Sequence, residues 1–447
     1  MRLTTPARVI WLSAILALAL AGCRAPTAPG ASPSGSAPAP PGGAAPSAPS
    51  GAQSSAPSAA QSGGAAPTEI VIGSALPLTG QESRAGGFFK VGYEMATEEQ
   101  NAAGGIQVAE YNRKLPVRLN ILDDQTDKNL TRNLYERLAT VDKVNFFLGG
   151  YSTGLGVAHA PVADQYKVPY VTGGEAAVEI FNRDQKYIFG LLSSVENLAT
   201  STMEWIKYWQ DQGTLARPGK IAMIWENSSH GKDYQRGVQN FVKANPDRFS
   251  IVLDEPFQYP GATDHRPLLQ KAKAANADFF LVDAHLEDYI LMQRQYAELG
   301  MHHQVITYGA RGPEKAARDQ LGTAADYVAA ANWWTPELPY PSSKDFVQKF
   351  QAKYGSAPEW YHALAYVTAQ TLFKAIDQAG SLDRDKVRDA LAKTNVENAP
   401  LPGGKVYFRQ DGQIDNPFVI TENLPGGAAP IVWPLDAKTG DAVLPVP

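Results

Sequence analysis

Residues 150–154 read Gly-Tyr-Ser-Thr-Gly, a literal Gly-x-Ser-x-Gly. The pentad falls between a predicted strand and a predicted helix, the setting in which a nucleophilic serine sits on a sharp, exposed turn. A serine hydrolase built on it would use Ser152 as nucleophile, Asp254 or Asp283 as acid, and His285, His302 or His303 as base, in the chain order Ser–Asp–His. No His-Gly-Gly oxyanion loop lies upstream, which weighs against that chemistry. Other chemistries lack their residues. There is no His-Glu-x-x-His, no Cys-x-x-Cys and no phosphate-cradling Gly-Lys loop, so neither a metal nor a cofactor is expected. Cys23 is the only thiol, which excludes an intrachain disulfide and a cysteine-rich zinc site.

The elements that must position Ser152 alternate regularly. Short apolar runs predict strands over 70–73, 117–122, 144–148, 169–172, 220–225, 251–253, 279–282 and 305–308. Between them, helical patterns cover 86–100, 155–166, 197–210, 232–244, 266–275 and 287–299. A further helix starts at Asp127, a capping residue, and carries Leu130, Leu134, Leu138 and Val141 on one face. Strands separated by helices argue for parallel sheets covered on both faces, and there are too many for one sheet. The expectation is an α/β chain with two doubly wound lobes. In such sheets ligands sit beyond the carboxyl ends of strands, so polar residues that directly follow strands are the ones to watch.

The chain has 447 residues and a net charge of −5, from 40 Lys+Arg against 45 Asp+Glu. A nucleic-acid binder would carry a basic surplus, so no nucleic-acid partner is expected. The mean hydropathy of −0.26 excludes a polytopic membrane protein. At the start, Arg2 and Arg8 precede and flank an apolar run over 9–21 that fits a secretory signal better than a bilayer span. It ends in Leu20-Ala21-Gly22-Cys23, which resembles a bacterial lipobox; that resemblance implies cleavage after residue 22 and lipid attachment to Cys23. Of the 44 residues over 24–67, 40 are Ala, Pro, Gly or Ser. Such a segment cannot bury enough apolar surface to fold, so 23–67 is expected to be a lipid-anchored, disordered linker.

Several segments then occur in a telling order. They are Ala75-Leu76-Pro77-Leu78-Thr79-Gly80, Asn101-Ala102-Ala103-Gly104-Gly105-Ile106, Asp123-Asp124-Gln125-Thr126-Asp127 and Gly149-Gly150-Tyr151-Ser152-Thr153. Pro169-Tyr170-Val171-Thr172-Gly173-Gly174, Tyr361-His362-Ala363-Leu364-Ala365-Tyr366 and Ala375-Ile376-Asp377-Gln378-Ala379-Gly380 follow. Together they resemble type I periplasmic solute-binding proteins of the branched-chain amino-acid (Leu/Ile/Val) group of ABC importers. The resemblance implies two lobes joined by a three-segment hinge, 68–191 plus 329–402 and 192–328 plus 403–447, closing on a small-molecule ligand. It also implies a monomer, not an enzyme, that hands its ligand to a membrane permease and faces the periplasm or exterior. A ligand-sensing regulator of the same fold is the other reading, beside the hydrolase.

The resemblance further implies a ligand-binding set. The family's carboxylate-holding hydroxyl falls on Thr153, with Ser152 beside it, and neutral donors at a helix start suit an anion. N-capping is the plainer role for both. Loop amides near Gly174 and Glu175 are expected to assist; Ala176 stands where the family often has a Thr donor. His230 and His285 replace aromatic walls. Arg311 lies near the position of a Glu that pairs with a ligand ammonium, and Arg84 sits beside Ala85 at another aromatic position. These departures point away from an ordinary α-amino acid and toward an organic acid or amide. Trp333-Trp334 opens a Pro-rich loop that is expected either to lid the cleft or to pack in the core.

Overall fold

The computed structural model describes residues 66–181, 185–259 and 261–447. The signal, Cys23 and nearly all of the expected linker lie outside the described residues. Among the described residues no helix is long and apolar enough to cross a membrane.

The described residues form one compact unit built on two main sheets. The first has the spatial order Val117–Asp123, Ile70–Leu76, Phe146–Leu148, Tyr170–Thr172, Ile188–Gly190, all parallel. Numbered along the chain, that order is 2-1-3-4-5. The second sheet repeats it with Phe249–Phe257, Gly219–Glu226, Phe279–Asp283, Val305–Tyr308 and Val328–Asn332. Two antiparallel strands from the C-terminal segment, Val419–Glu422 and Ile431–Trp433, extend its far edge. The expected pair of doubly wound lobes is therefore present, with an antiparallel edge that the sequence reading did not anticipate. In each lobe the order reverses between the first and third strands, which is where a doubly wound sheet opens a crevice at its carboxyl edge.

Three segments cross between the sheets. Trp333, just after Val328–Asn332, donates its indole N–H to the Ser193 carbonyl (2.9 Å), and the Ser193 hydroxyl donates to the Asn416 carbonyl (2.8 Å). One short chain of hydrogen bonds thus ties all three crossovers. The last falls later in the chain than residue 403. Lys405–Tyr407 still pairs with Asn395–Glu397, and Gln413 bridges to Gly190 of the first sheet.

Local chemistry explains several element ends. The Asp127 carboxylate caps Lys128–Thr140 by accepting from the N–H groups of Asn129 (2.8 Å) and Leu130 (2.7 Å), as expected. The buried face of that helix is Thr131, Tyr135 and Leu138, however, and Val141 is 70 % exposed. Only Leu138 of the predicted stripe is buried; the stripe is rotated because Tyr135 sends its hydroxyl inward to the Leu148 carbonyl (2.8 Å). The single helix predicted over 155–166 is two, Thr153–His159 and Pro161–Gln165. Pro161 has no N–H to continue the first ladder and suits the first turn of the second.

The helix Trp360–Ala379 matters most for the site. It packs on Ser83–Ala102, where Gly92 permits close approach: a Cβ there would lie 2.6 Å from the His362 carbonyl oxygen. Its start is a capping box. The Glu359 carboxylate accepts from the His362 N–H, and His362 Nδ1 accepts from the Glu359 N–H (2.9 Å). Burial holds the His362 imidazole down at about 4, which keeps it neutral and leaves Nδ1 an acceptor. This box aims Trp360 and Tyr361 at the space between the lobes.

Candidate functional site

The carboxyl ends of the strands of both sheets converge on a narrow cavity with room for about one water molecule. Seven of the nine expected ligand contacts line it: Ser152, Thr153, Gly174, Ala176, His230, His285 and Arg311. Each follows a strand directly or opens the helix after it. Tyr151, Leu192, Trp333 and Trp360 complete the wall.

On the first-lobe side the groups are neutral. Ser152 occupies the N-cap position of Thr153–His159 but makes no capping hydrogen bond with its side chain, so capping does not account for its hydroxyl. Thr153 Oγ1 accepts from the Ala176 N–H (3.2 Å). With its oxygen so engaged, the Thr153 O–H is left to donate elsewhere. The Gly174 N–H donates back to Thr172 Oγ1 (3.2 Å), within its own loop, rather than toward the cavity. Gly174 is required by proximity, since a Cβ would stand 2.5 Å from the Gly150 carbonyl oxygen.

Glu175 is not part of the wall. It is fully buried behind it, where Oε1 accepts from the Tyr170 hydroxyl (2.6 Å) and lies 2.9 Å from His159 Nε2. His159 Nδ1 in turn meets Thr131 Oγ1 (3.0 Å), and Tyr135 stacks on its ring. The loop turns Glu175 inward because that buried imidazole needs a partner. Arg84 is not in the cavity either. It is 42 % exposed at the cleft mouth, 3.9 Å from Glu287 of the opposite lobe.

On the second-lobe side the groups are ionisable and paired. His230 Nδ1 lies 2.8 Å from Asp283 Oδ2, and His285 Nδ1 lies 2.5 Å from Glu226 Oε2. Burial works against charge on His285, but the Glu226 carboxylate outweighs it and raises the imidazole to about 9. Burial would likewise lift Glu226, yet His285 and the Ser228 hydroxyl hold it down at about 2. Tyr259 stacks flat on His285 at 4.4 Å. Of these partners the sequence offers only Asp283, as a hydrolase acid, since each pair joins different strand ends.

Arg311 is the third pair, and it is not free to meet an anion alone. Its Nη1 donates to Glu314 Oε1 (3.1 Å) and to the Tyr361 hydroxyl (3.0 Å), and its Nη2 donates to the Tyr151 hydroxyl (3.1 Å). The guanidinium also lies 5.3 Å from the centre of the Trp360 ring. Trp360 Nε1 (3.1 Å) and Tyr361 (2.9 Å) both donate to Glu314 Oε1 as well. Arg311 and Glu314, three residues apart on one loop, therefore brace the second lobe against Tyr151, Trp360 and Tyr361 of the first. Trp333 and Trp334 divide the two expected roles: Trp333 walls the cavity and Trp334 is core, packed on Phe346.

The hydrolase arrangement is not assembled as expected. Asp283 does meet an imidazole, but that of His230 rather than His285. His302 bonds the Val446 carbonyl, and His303 the Tyr296 hydroxyl, away from Ser152. Asp254 accepts from Trp225, Gln235 and Gln239.

Comparison with known proteins accounts for this geometry. A family model described as periplasmic binding protein matches residues 69–428. The Leu/Ile/Val-binding protein homolog 7 of Brucella suis biovar 1 (strain 1330) is 28 % identical over 399 residues, 86 % of this chain and 96 % of the relative. A leucine binding protein from Thermotoga maritima superposes with a TM-score of 0.70 at 22 % identity, covering 81 % of this chain and 97 % of that one. A solute binding protein of an ABC transporter from Rhodopseudomonas palustris BisB5, in complex with 3,4-dihydroxybenzoic acid, gives 0.68 at 21 % identity, covering 85 % and 99 %. With residues 69–428 matched by its model, the chain belongs to the periplasmic binding protein family.

Proposed function

We propose that this protein is the extracytoplasmic solute-binding component of an ABC importer and that it grips a small organic acid between its lobes. The observation that carries the reading is the cavity itself, where strand ends from both sheets meet and neutral donors face paired charges. The Ser152 and Thr153 hydroxyls hold the carboxylate without a counter-charge, and His230 and His285 close on the solute from the other side. An α-ammonium finds no free acid there: Glu226, Asp283 and Glu314 are each committed to a base of this protein. The three-segment hinge lets the lobes part and shut, and closure follows from tighter contact in the shut state. Cys23, acylated, would tether the chain to the membrane beside its permease, with 23–67 as spacer; acylation by more than one chain gives a stable anchor.

A thermal-shift screen of the full chain across amino acids, monocarboxylates, dicarboxylates, aromatic acids and amides tests the reading. A true solute at 100 times its dissociation constant stabilises the fold by about 2.7 kcal/mol. An organic acid is expected to give that shift, and Thr153→Ala to diminish it. Leucine binding far more tightly than every acid without an amino group, or consumption of the solute, would overturn it.

A further inference from the structure

We infer that His230 and His285 form a second acid-binding subsite, which makes the solute a small dicarboxylate. The inference rests on the proposed function, in which the first carboxylate meets Ser152 and Thr153, and it assigns the group at the solute's other end.

Both rings line the cavity and both spend Nδ1 on a buried carboxylate behind them, Asp283 for His230 and Glu226 for His285. Among the described residues neither Nε2 has a hydrogen-bond partner. A ring held this way by Nδ1 is fixed in orientation and presents Nε2 forward. The two rings are 5.9 Å apart centre to centre, close enough to converge on one acid group. His285 is charged at neutral pH and so presents an Nε2–H that an acid group can accept from. Opposite them stand the Ser152 and Thr153 hydroxyls, so acceptors are wanted at both ends of the cavity. Between the ends the walls are aromatic: Trp333 lies edge-on to His230 and Tyr151 edge-on to His285. A short carbon spine with a carboxylate at each end matches that sequence of surfaces. The narrowness of the cavity keeps the solute small.

The same residues invite a different reading. Donor atoms of Glu226, His230 and Asp283 lie within 4.8 Å of one another, as metal ligands would. Tetrahedral zinc with bonds near 2.0 Å holds its ligand atoms roughly 3.3 Å apart. The His230–Asp283 separation of 2.8 Å is that of a shared proton instead, and Glu226 is already held by His285 at 2.5 Å, so the geometry favours hydrogen-bonded pairs.

Calorimetric titration of the full chain with matched pairs, butyrate against succinate and benzoate against terephthalate, decides the matter. We expect the diacid to bind at least tenfold more tightly in one pair. Asparagine can mimic Nδ1 and glutamine Nε2. His230→Asn and His285→Asn should therefore bring the diacid-to-monoacid ratio near one, while His230→Gln and His285→Gln retain part of it. Thermal midpoints show which variants are folded, and the wild-type ratio is decisive without them. A wild-type ratio near one overturns the inference. So does a diacid preference that needs added Zn²⁺ and vanishes with EDTA. If monoacids bind and weaken on Thr153→Ala while diacids gain nothing, only this subsite falls. If no acid binds at all, the proposed function falls with it.

Discussion

The two walls of the cleft handle charge in opposite ways. On the first-lobe side the ionisable pair, His159 with Glu175, is sealed behind the wall, and the surface left for a solute is hydroxyl and aromatic. On the second-lobe side the pairs His230–Asp283, His285–Glu226 and Arg311–Glu314 stand at the surface itself. The difference teaches where position is set and where identity is tested. A buried pair behind a loop holds the loop's shape whatever binds. A pair at the surface changes its own energy when a solute arrives, because part of its solvation is replaced.

The largest effect that would break this contrast comes from Glu175. Removing one partner of a buried pair strands the other, at a cost of about 3–5 kcal/mol. Glu175→Ala should lower stability by that order in urea unfolding, because His159, fully buried, loses its acid partner and Tyr170 its acceptor. Glu175→Gln keeps an acceptor and should cost less. Both should leave the rank order of solutes unchanged in a fluorescence titration. A changed rank order at unchanged stability would put Glu175 in the wall after all.

The next effect is a pH dependence carried by the second wall. His285 is raised from 6.5 to about 9 by Glu226, so its stabilisation is fully present below pH 6.5 and is lost as pH rises through 9. Glu226 is lowered from 4.5 to about 2, so its share is present above pH 4.5 and is lost as pH falls through 2. The pair therefore works at full strength only between about pH 4.5 and 6.5. The stability gap between wild type and His285→Asn should be widest there and narrow by on the order of 2 kcal/mol by pH 9, since each pKa unit is worth about 1.36 kcal/mol. Glu82 and Arg311 face His285 from other elements and push it in opposite directions, Glu82 up and Arg311 down, so both are part of the gap measured. A gap that stays constant from pH 5 to 9.5 would show that the pair is not ionised as drawn.

These cases also show what the sequence could and could not reveal. Strands appear as apolar runs, and a residue soon after one lies toward the carboxyl edge of a sheet, which singles out the Gly-x-Ser-x-Gly turn at Ser152; Thr153, Glu175 and His230 are reached only through the family resemblance. Neither route shows which way a loop residue points, and so Glu175 is admitted. Neither shows partners on other strands, so Glu226 and Glu314 go unnoticed and Asp283 is considered only as a hydrolase acid, although all three decide the electrostatics. Trp360 and Tyr361 come from a helix more than two hundred residues further along the chain, packed by Gly92. An aromatic pair straight after Pro358-Glu359 was the available signal, and a helix start alone does not say where it aims.

The smallest effect sharpens the contrast at its edge. Arg84 and Glu287 face each other across the cleft mouth at 3.9 Å, with about half of each side chain in solvent. Arg311 and Glu314 pair on one loop of the second lobe, almost fully buried, and reach the first lobe only through Tyr151, Trp360 and Tyr361. If bridging the lobes were enough to favour the shut clamp, the two pairs would matter alike. Burial says otherwise. An exposed pair gains little over its hydrated ions and is screened by salt, so Arg84→Ala should change stability and solute affinity by less than about 0.5 kcal/mol, and less still at 0.5 M NaCl. Arg311→Met leaves the Glu314 carboxylate buried without its base, and only the double change with Glu314→Gln should recover most of the loss. A double-mutant cycle on each pair measures this directly. A coupling energy for Arg84–Glu287 as large as that for Arg311–Glu314 would mean that closure is governed by charges at the rim and that the paired wall inside is incidental to it.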